Sequence, residues 1–378
     1  MVGMFPGLTI FSNPGSSDPE FRSAGGAPEG DRAGFAFSID EPVSVVSPVV
    51  FASPHSGRLY PKGFLEACDA SMIDLRRIED AYVDRLLAEV HLSGAPVICG
   101  LVARGFVDLN RAESEIDPHM FENPSPAWFS QRSPRVDAGL GCIPRVAFNG
   151  APIYRHRLKR EEADRRLDQV YRPYHRALEA LMRRAQAMFG QAWLIDCHSM
   201  PAETEPSSRS PDIVIGDRFG ASCGPGLTDL VESLFRARGY STARNTPYAG
   251  GFATLAHGQP PLGRHALQIE VRRRLYLDEA SVEPHNGFLT VRQHMGEIAQ
   301  EICGFARRNV GLGEESTKKM AALDASAAKS LGRKRPEGQR LRRATFWFYA
   351  APQKPQGEFS HMRPNSAVCF DCDCFDAF

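Results

Sequence analysis

The stretch from Trp193 to Pro201, WLIDCHSMP, constrains the fold more than any other part of the sequence. Its apolar start, Trp193 to Ile195, is typical of a strand that is covered on both faces of a sheet. Polar residues follow at the carboxyl end of this strand, where open α/β sheets place their functional sites. Asp196 and His198 are two positions apart, so in an extended strand their side chains point the same way. This pattern suits either a metal-bound imidazole beside a carboxylate or a structural histidine beside an aspartate cap.

Composition narrows the class of protein. The 378 residues allow one large domain or two ordinary ones, and 42% of them are hydrophobic. The 45 Lys and Arg residues balance 45 Asp and Glu residues, so the charge does not point to nucleic acid or to an acidic membrane. No apolar run approaches the roughly 20 residues that span a bilayer, and the first residues lack the pattern of a signal peptide. Nine scattered cysteines favour a reducing compartment, so we expect a cytoplasmic protein with neither nucleic-acid nor membrane partners.

Predicted strands and helices alternate along the middle of the chain. Apolar, β-branched runs indicate strands, and apolar residues three or four positions apart indicate helices. The predicted strands are Val43–Ala52, Pro96–Val102, the strand from Trp193, Asp212–Ile215 and Ala266–Val271. The predicted helices are Leu75–Leu92, Leu158–Phe189 with a break at Pro173, Leu227–Ala237 and Val291–Arg307. This alternation indicates a three-layer α/β fold, in which helices cover both faces of a mixed, mostly parallel sheet.

The two ends of the chain differ from its middle. Residues 1–34 are rich in Gly, Pro, Ser and Asp, which predicts a flexible leader. Residues 35–312 carry the α/β pattern and form the predicted catalytic domain. Residues 313–378 are basic and without periodicity, which predicts a disordered tail; its three cysteines have no evident fourth ligand. Within the domain, residues 113–149 are rich in Pro and Gly and are typical of a lid, a binding loop or a disordered segment.

Several side chains that can do chemistry follow the predicted strands. His55 follows the first strand, Arg104 with Asn110 and Arg111 follows the second, and Asp196, His198 and Glu270 lie near the ends of later strands. Two histidines and a carboxylate are a common ligand set for catalytic zinc and leave one position for water. A further carboxylate can serve as general base, and arginine can hold an anionic substrate group. Together these residues predict a metallohydrolase for an anionic substrate.

The acidic pair Glu79 and Asp80 lies in the first half of the predicted helix Leu75–Leu92. Either carboxylate can complete a ligand set with two histidines. The residues alone do not choose between them.

Longer motifs occur in order along the chain, and together they resemble one family. The chain resembles the N-formylglutamate amidohydrolases, also called N-formylglutamate deformylases, which are relatives of the zinc carboxypeptidases. The matching motifs are SPHSGRLYP at Ser53–Pro61, EDAYVDRL at Glu79–Leu86, VDLNR at Val107–Arg111, YRPYH at Tyr171–His175, LIDCHSMP at Leu194–Pro201, DIVIGD at Asp212–Asp217, NTPYAGGF at Asn245–Phe252 and QIEV at Gln268–Val271. The leader and the tail fall outside this resemblance.

The resemblance implies a zinc-carboxypeptidase-like fold, of the phosphorylase/hydrolase-like type, and one divalent zinc ion. It assigns the ion to His55 and His198 together with Asp80 or Glu79. We favour Asp80, because the family motif keeps an aspartate at that place. The carboxypeptidases use His-x-x-Glu for their first two ligands, whereas the residue three positions after His55 is Arg58.

The resemblance also implies roles for further residues. Asn110 and Arg111 would hold the substrate carboxylate, and Arg104 would polarise the scissile carbonyl. Glu270 would be the general base. The Gly250–Gly251 loop and His257 would line the pocket, although His257 also suits a surface histidine.

The resemblance implies an activity as well. The expected reaction is metal-dependent hydrolysis of an N-formyl or N-acyl amino acid, above all of N-formyl-L-glutamate to L-glutamate and formate, with a role in histidine degradation. The expected partner is thus a small anionic acyl-amino acid. The alternatives are another zinc N-acyl amino acid deacylase, a carboxypeptidase-like peptidase, or a non-catalytic relative that keeps the anion pocket. A second anion site for the glutamate side chain is also expected; Arg145 and Arg155 are candidates between which the sequence does not choose.

Overall fold

The structure is a computed structural model that describes residues 8–10, 36–130, 133–202 and 210–312. The predicted tail 313–378 lies outside the described residues, as does the predicted leader apart from residues 8–10. The strands are β1 Leu8–Ile10, β2 Phe37–Asp40, β3 Val49–Ser53, β4 Leu59–Pro61, β5 Val97–Gly100, β6 Ala192–Met200, β7 Ile213–Gly216, β8 Thr242–Arg244, β9 Arg264–Arg272, β10 Leu277–Asp278 and β11 Glu283–Pro284. The α-helices are α1 Lys62–Ala67, α2 Met72–Arg77, α3 Val83–Leu86, α4 Pro134–Asp137, α5 Arg160–Arg166, α6 Arg172–Phe189, α7 Pro225–Ala237, α8 Phe252–His257 and α9 Gly287–Asn309. Short 3-10 helices occur at Val90–Ser93, Pro118–Met120, Pro126–Ser130, Phe148–Gly150, Pro260–Leu262 and Arg273–Leu275.

Seven strands form the central sheet, in the order β2-β5-β3-β6-β9-β7-β8. The four pairs β5–β3, β3–β6, β6–β9 and β7–β8 are parallel, whereas β2–β5 and β9–β7 are antiparallel. The predicted mixed, mostly parallel sheet is therefore confirmed. Because β3, β6 and β9 are adjacent and parallel, their carboxyl ends meet at one edge of the sheet.

Alternation along the strands divides the core into two layers. On β6, Leu194 packs into one buried cluster, which also contains Leu178 and Met182 of α6. Ile195 packs into the other cluster with Ile298 of α9. Successive side chains of a strand point to opposite faces, so the continuous apolar run of β6 is buried on both sides. The predicted three-layer arrangement is therefore confirmed.

The continuous helix predicted from Leu75 to Leu92 is divided in the structure. Helix α2 ends at Arg77, α3 begins at Val83, and Tyr82 between them has a left-handed backbone conformation with φ 64°. The backbone N–H of Asp80 donates to the carbonyl of His55 at 3.0 Å. This long-range hydrogen bond replaces a helical one, and the break brings Asp80 to the loop that follows β3.

The helix that was predicted to kink or split at Pro173 is not split there, but its geometry changes just before the proline. A five-residue π-helical segment, Leu167–Tyr171, joins α5 to α6, and Pro173 lies in the first turn of α6. The wider turn of the π segment lies directly before Pro173, where the proline removes one helical N–H donor. No helix in the described ranges combines the length and the apolar character that crossing a membrane requires.

Arg166 on α5 is a fully buried cation that ties this helix to the loop after β5. Its guanidinium donates to the carbonyl of Phe106 at 2.9 Å and to the hydroxyl of Tyr154 at 2.6 Å, and it pairs with Glu162 at 2.9 Å. It also lies 4.2 Å from the centre of the Phe106 ring, within the range of a cation–π interaction. The loop that carries Arg104 is thereby anchored to the helical layer.

Replacing Arg166 by leucine should lower the free energy of unfolding by about 3 kcal/mol, because its buried acceptors lose their donor. Equilibrium unfolding in urea measures this change. The matched control is Arg160→Leu on the same helix, whose ion pair with Asp164 is exposed and 3.7 Å long, so that its loss should cost less than about 0.5 kcal/mol. Equal changes in the two variants would contradict the anchoring role of Arg166.

Candidate metal centre and active site

Three buried side chains converge at the carboxyl edge of the sheet. His55, Asp80 and His198 each offer one potential ligand atom, and these atoms lie within 4.8 Å of one another. The Oδ2 atom of Asp80 is 2.8 Å from Nδ1 of His198 and 3.3 Å from Nδ1 of His55. We call these three residues the His-Asp-His cluster.

The other nitrogen of each imidazole is held by a carboxylate. Nε2 of His55 lies 2.7 Å from Oδ1 of Asp108, and Nε2 of His198 lies 2.9 Å from Oδ2 of Asp196. A carboxylate at Nε2 assigns the proton to that nitrogen and leaves the Nδ1 lone pair available to a metal. Nδ1 of His55 is buried and accepts or donates no hydrogen bond within the described ranges.

Asp80 is oriented from its other side. Its Oδ1 atom lies 3.3 Å from the hydroxyl of Ser199 and 3.4 Å from Nη2 of Arg273. Although burial acts to raise the pKa of Asp80, the adjacent imidazoles of His198 and His55 hold it well below its usual range. Burial acts to lower the pKa of His198, but the carboxylates of Asp196 and Asp80 raise it well above its usual value. Three electron-pair donors this close require a cation between them, either a proton or a metal ion.

Glu79 points away from the cluster. One of its oxygens accepts a hydrogen bond from the hydroxyl of Tyr60, and the other lies 4.0 Å from Nε of Arg76. Burial raises the pKa of Glu79 to about 7. Of the acidic pair that the sequence left open, the structure thus brings Asp80 to the two histidines.

Glu270 lies beside the cluster without joining it. It is buried on β9, in register with His198 on the neighbouring strand β6. Its Oε1 atom accepts a hydrogen bond from Nε2 of Gln268 at 2.8 Å. Burial raises the pKa of Glu270 to about 7. Such a carboxyl group can take up and release a proton near neutral pH.

Arg104 is linked to the cluster through Asp108. Its Nε donates to Oδ2 of Asp108 at 2.9 Å, while the other oxygen of Asp108 bonds His55. Burial acts to lower the pKa of Arg104, but the charges of Asp108, Asp80 and Glu270 raise it. The Arg104 side chain is 23% exposed, whereas that of Asp108 is buried, so Arg104 is the part of this pair that an incoming molecule can reach.

Asn110 supports the histidine side of the site. Its Oδ1 accepts the backbone N–H of Ala253 at 2.7 Å, and its Nδ2 donates to Oδ2 of Asp196 at 3.1 Å, lying 3.0 Å from Nε2 of His198. Both ends of the amide are therefore engaged within the protein. Its predicted contact with substrate stays a prediction.

Arg111 is held by carbonyl groups. Its Nε donates to the carbonyl of Leu140 at 3.0 Å, and its Nη1 donates to the carbonyl of Asn110 at 2.9 Å. Burial and the neighbouring cations Arg104 and Arg135 lower the pKa of Arg111. Among the described residues no carboxylate forms an ion pair with Arg111, so its charge can receive an external anion.

The glycine loop packs closely on Asn110. A Cβ atom at Gly251 would lie 2.3 Å from Nδ2 of Asn110, and Gly250 has φ +132°, a conformation that other residues rarely adopt. His257, at the end of the helix that follows, is buried and lies 3.4 Å from Glu179 of α6. Its contacts therefore join α8 to α6, and the structure does not bring it to the cluster.

Four residues of this site were absent from the sequence prediction. Asp108 lies within the VDLNR motif, and its two-residue spacing from Asn110 was the only available signal. Gln268 likewise lies two positions before Glu270. Tyr248 lies within the NTPYAGGF motif, whereas Arg273 carried no local signal. Burial and the charge of Glu270 raise the pKa of Tyr248.

Comparison with known proteins supports the family resemblance over most of the described residues. A family model described as N-formylglutamate amidohydrolase matches residues 47–277. The N-formylglutamate deformylase of Pseudomonas aeruginosa is 32% identical over 271 residues, which cover 69% of this chain and 94% of that protein. The N-formylglutamate deformylase of Pseudomonas putida is 28% identical over 262 residues, covering 68% and 89%.

Solved structures agree. The N-formylglutamate amidohydrolase of Ralstonia eutropha is 35% identical with a TM-score of 0.68, covering 73% of this chain and all of that one. A protein of Agrobacterium tumefaciens is 19% identical with a TM-score of 0.51, covering 74% and 97%, and this likeness shows the fold alone. The chain belongs to the N-formylglutamate amidohydrolase family and is a hydrolase that acts on an amide bond.

Proposed function

We propose that this chain hydrolyses N-formyl-L-glutamate to L-glutamate and formate, using a zinc ion held by His55, Asp80 and His198. The observation that carries the proposal is the buried His-Asp-His cluster. It occurs in a chain that matches two N-formylglutamate deformylases over most of their length. A role in histidine degradation is part of the same proposal. The six cysteines among the described residues are free thiols, which supports a reducing compartment such as the cytoplasm.

The donor set of the cluster fits zinc. Two imidazole nitrogens and one carboxylate oxygen are the ligands that catalytic zinc sites use. Nδ1 of His55 is buried and has no hydrogen bond to any residue that the structure describes, a costly state unless it meets a cation. When bound, such an ion would polarise the scissile carbonyl and acidify a water molecule.

The protein's own residues account for the proton transfers. Glu270 has one oxygen bonded by Gln268, and its other oxygen can accept a proton from the attacking water. A pKa of about 7 allows Glu270 to hold that proton and then to deliver it to the leaving nitrogen. Arg104 would stabilise the negative charge that develops on the carbonyl oxygen, and one such donor is typically worth roughly 3 kcal/mol.

Arg111 would hold the α-carboxylate of the substrate. Its guanidinium is fixed by two carbonyl groups and carries no ion pair within the described part of the chain. For the second carboxylate, Arg145 bonds Asp117 at 3.1 Å, and Arg155 lies 3.8 Å from Asp69. Both candidates are thus already paired.

Arg135 is a better candidate for the second carboxylate. It is exposed and lies within electrostatic reach of Arg111. Two neighbouring cations suit a substrate with two carboxylates. In this proposal Asn110, Gly250 and Gly251 shape the wall of the pocket, and His257 fixes the helix behind it.

Metal analysis with an activity assay tests the metal centre. The purified protein should hold about one zinc ion per chain, and His198→Ala should lose both the metal and at least about 100-fold in kcat/KM, because a ligand is removed. The matched control is His156→Ala, since His156 is exposed. Equal metal content and equal activity in wild type and His198→Ala would contradict the proposal. Assays with N-acetyl- and peptidyl-glutamate would reveal a different acyl preference.

Arg111→Ala tests the carboxylate clamp. KM for N-formyl-L-glutamate should rise about 10- to 100-fold, since a hydrogen bond to a charged group is worth roughly 1.5–3 kcal/mol. A substrate whose α-carboxylate is replaced by a carboxamide should lose the same factor in wild type and little more in the variant. The control is Arg157→Ala, an exposed arginine. An unchanged KM in Arg111→Ala would move the clamp elsewhere.

A further inference from the structure

Two neighbouring strands repeat one pattern at the site. On β6, Asp196 bonds His198 two positions later, and on β9, Gln268 bonds Glu270 two positions later. Residues two apart on a strand share a face. In the sheet register, Asp196 lies beside Gln268 and His198 lies beside Glu270. Each strand therefore presents one functional group together with its own supporting residue.

The orientation of the Gln268 amide is determined by both of its contacts. Its Oε1 accepts the backbone N–H of Gly251 at 2.8 Å, and its Nε2 donates to Oε1 of Glu270 at 2.8 Å. The reversed amide would place two donors together on one side and two acceptors on the other. The buried side chain of Gln268 can thus only donate to Glu270. One oxygen of Glu270 is held by a neutral donor, and the other is left for chemistry.

Backbone N–H groups of one segment, Gly251 to Ala253, bond supporting residues on both sides of the site. The N–H of Gly251 bonds Gln268, and the N–H of Ala253 bonds Oδ1 of Asn110, whose Nδ2 donates to Asp196. Gln268 and Asn110 therefore have the same relation to the loop: each is an amide that is fixed by a backbone donor and that in turn holds a carboxylate. This similarity indicates that Gln268 orients Glu270, as a carboxylate that bonds the outer nitrogen of a metal-bound histidine orients the imidazole ring.

We propose that Gln268 is a positioning residue for the reaction: it fixes one oxygen of Glu270 and so directs the other toward the attacking water. The inference rests on the proposed function, in which Glu270 is the general base. A neutral amide suits this task, because it satisfies a buried carboxylate without adding a positive charge that would weaken it as a base. Loss of the bond leaves Glu270 free to turn, and a misplacement of about 1 Å can cost about 100-fold in rate.

Two variants of Gln268 test this role in the zinc-loaded enzyme, with N-formyl-L-glutamate as substrate. Gln268→Met removes both hydrogen bonds at similar length. Gln268→Glu keeps an acceptor for the N–H of Gly251 and removes the donor to Glu270. Both variants should lower kcat by about 10- to 100-fold and leave KM within about twofold, with unchanged zinc content. Ile269→Val is the matched control, because Ile269 lies between the two residues and packs into the core on the opposite face.

A double-mutant cycle separates positioning from a merely structural role. If Gln268 acts through Glu270, then Gln268→Met should cause no further loss of the residual rate in a Glu270→Gln background. A structural role would lower the rate by the same factor in both backgrounds. Where Gln268→Met does not fold, the cycle with Gln268→Leu, which also removes both hydrogen bonds without adding a charge, decides in the same way.

The outcomes distinguish this inference from the proposed function. Full activity in Glu270→Gln would overturn the proposed role of the general base itself. Loss of activity in Glu270→Gln, combined with wild-type kcat in both Gln268 variants, would overturn the positioning role alone. An equal further loss in the double variant, or a change confined to KM, would overturn it as well.

Discussion

The approach of three electron-pair donors at the carboxyl edge of the sheet is the interaction on which the rest of the site depends. The carboxylate of Asp80 faces the Nδ1 atoms of His55 and His198 at 3.3 and 2.8 Å, and all three side chains are buried. Such an arrangement is unstable unless a cation lies between the donors. Hydrogen bonds with surrounding residues hold the three side chains in this arrangement. Asp108 and Asp196 fix the outer nitrogens of the imidazoles, and these carboxylates are in turn bonded by Arg104 and Asn110.

The balance of buried charge explains why this edge of the molecule holds so many paired groups. Moving an isolated ion out of water costs several kcal/mol even after relaxation. Asp80 is held on its outer side by Arg273, whose guanidinium also donates to the carbonyls of Arg77 and Glu79 at 2.7 Å. The Arg77 carbonyl ends α2, and the Glu79 carbonyl lies in the break between α2 and α3. The same arginine therefore stabilises the broken helix and orients the carboxylate that the break presents.

Sequence reasoning located the strands and the residues at their ends, because apolar runs and two-residue spacing are local signals. The strand at Trp193, the placement of His198 on it and the three-layer arrangement are all present in the structure. The break at Tyr82 was missed, because apolar residues keep helical spacing across it. The backbone between the two helices instead forms hydrogen bonds with His55, and with Arg273, which is 194 positions beyond Glu79. No local pattern records such distant partners. Gln268 was missed for a similar reason, since its importance comes from Gly251 on one side and Glu270 on the other.

The two supported residues of the site differ in the charge of their partners, and this difference follows from their chemistry. His198 is supported by the carboxylate of Asp196, which makes the imidazole a stronger electron-pair donor toward a cation. Glu270 is supported by the amide of Gln268, which donates one hydrogen bond and no net charge. A guanidinium in that position would favour the ionised carboxylate and lower its affinity for a proton, opposing the effect of burial. In the proposed function, β6 and β9 therefore hold a metal ligand and a proton acceptor side by side, and the residue two positions earlier sets the electrostatics of each.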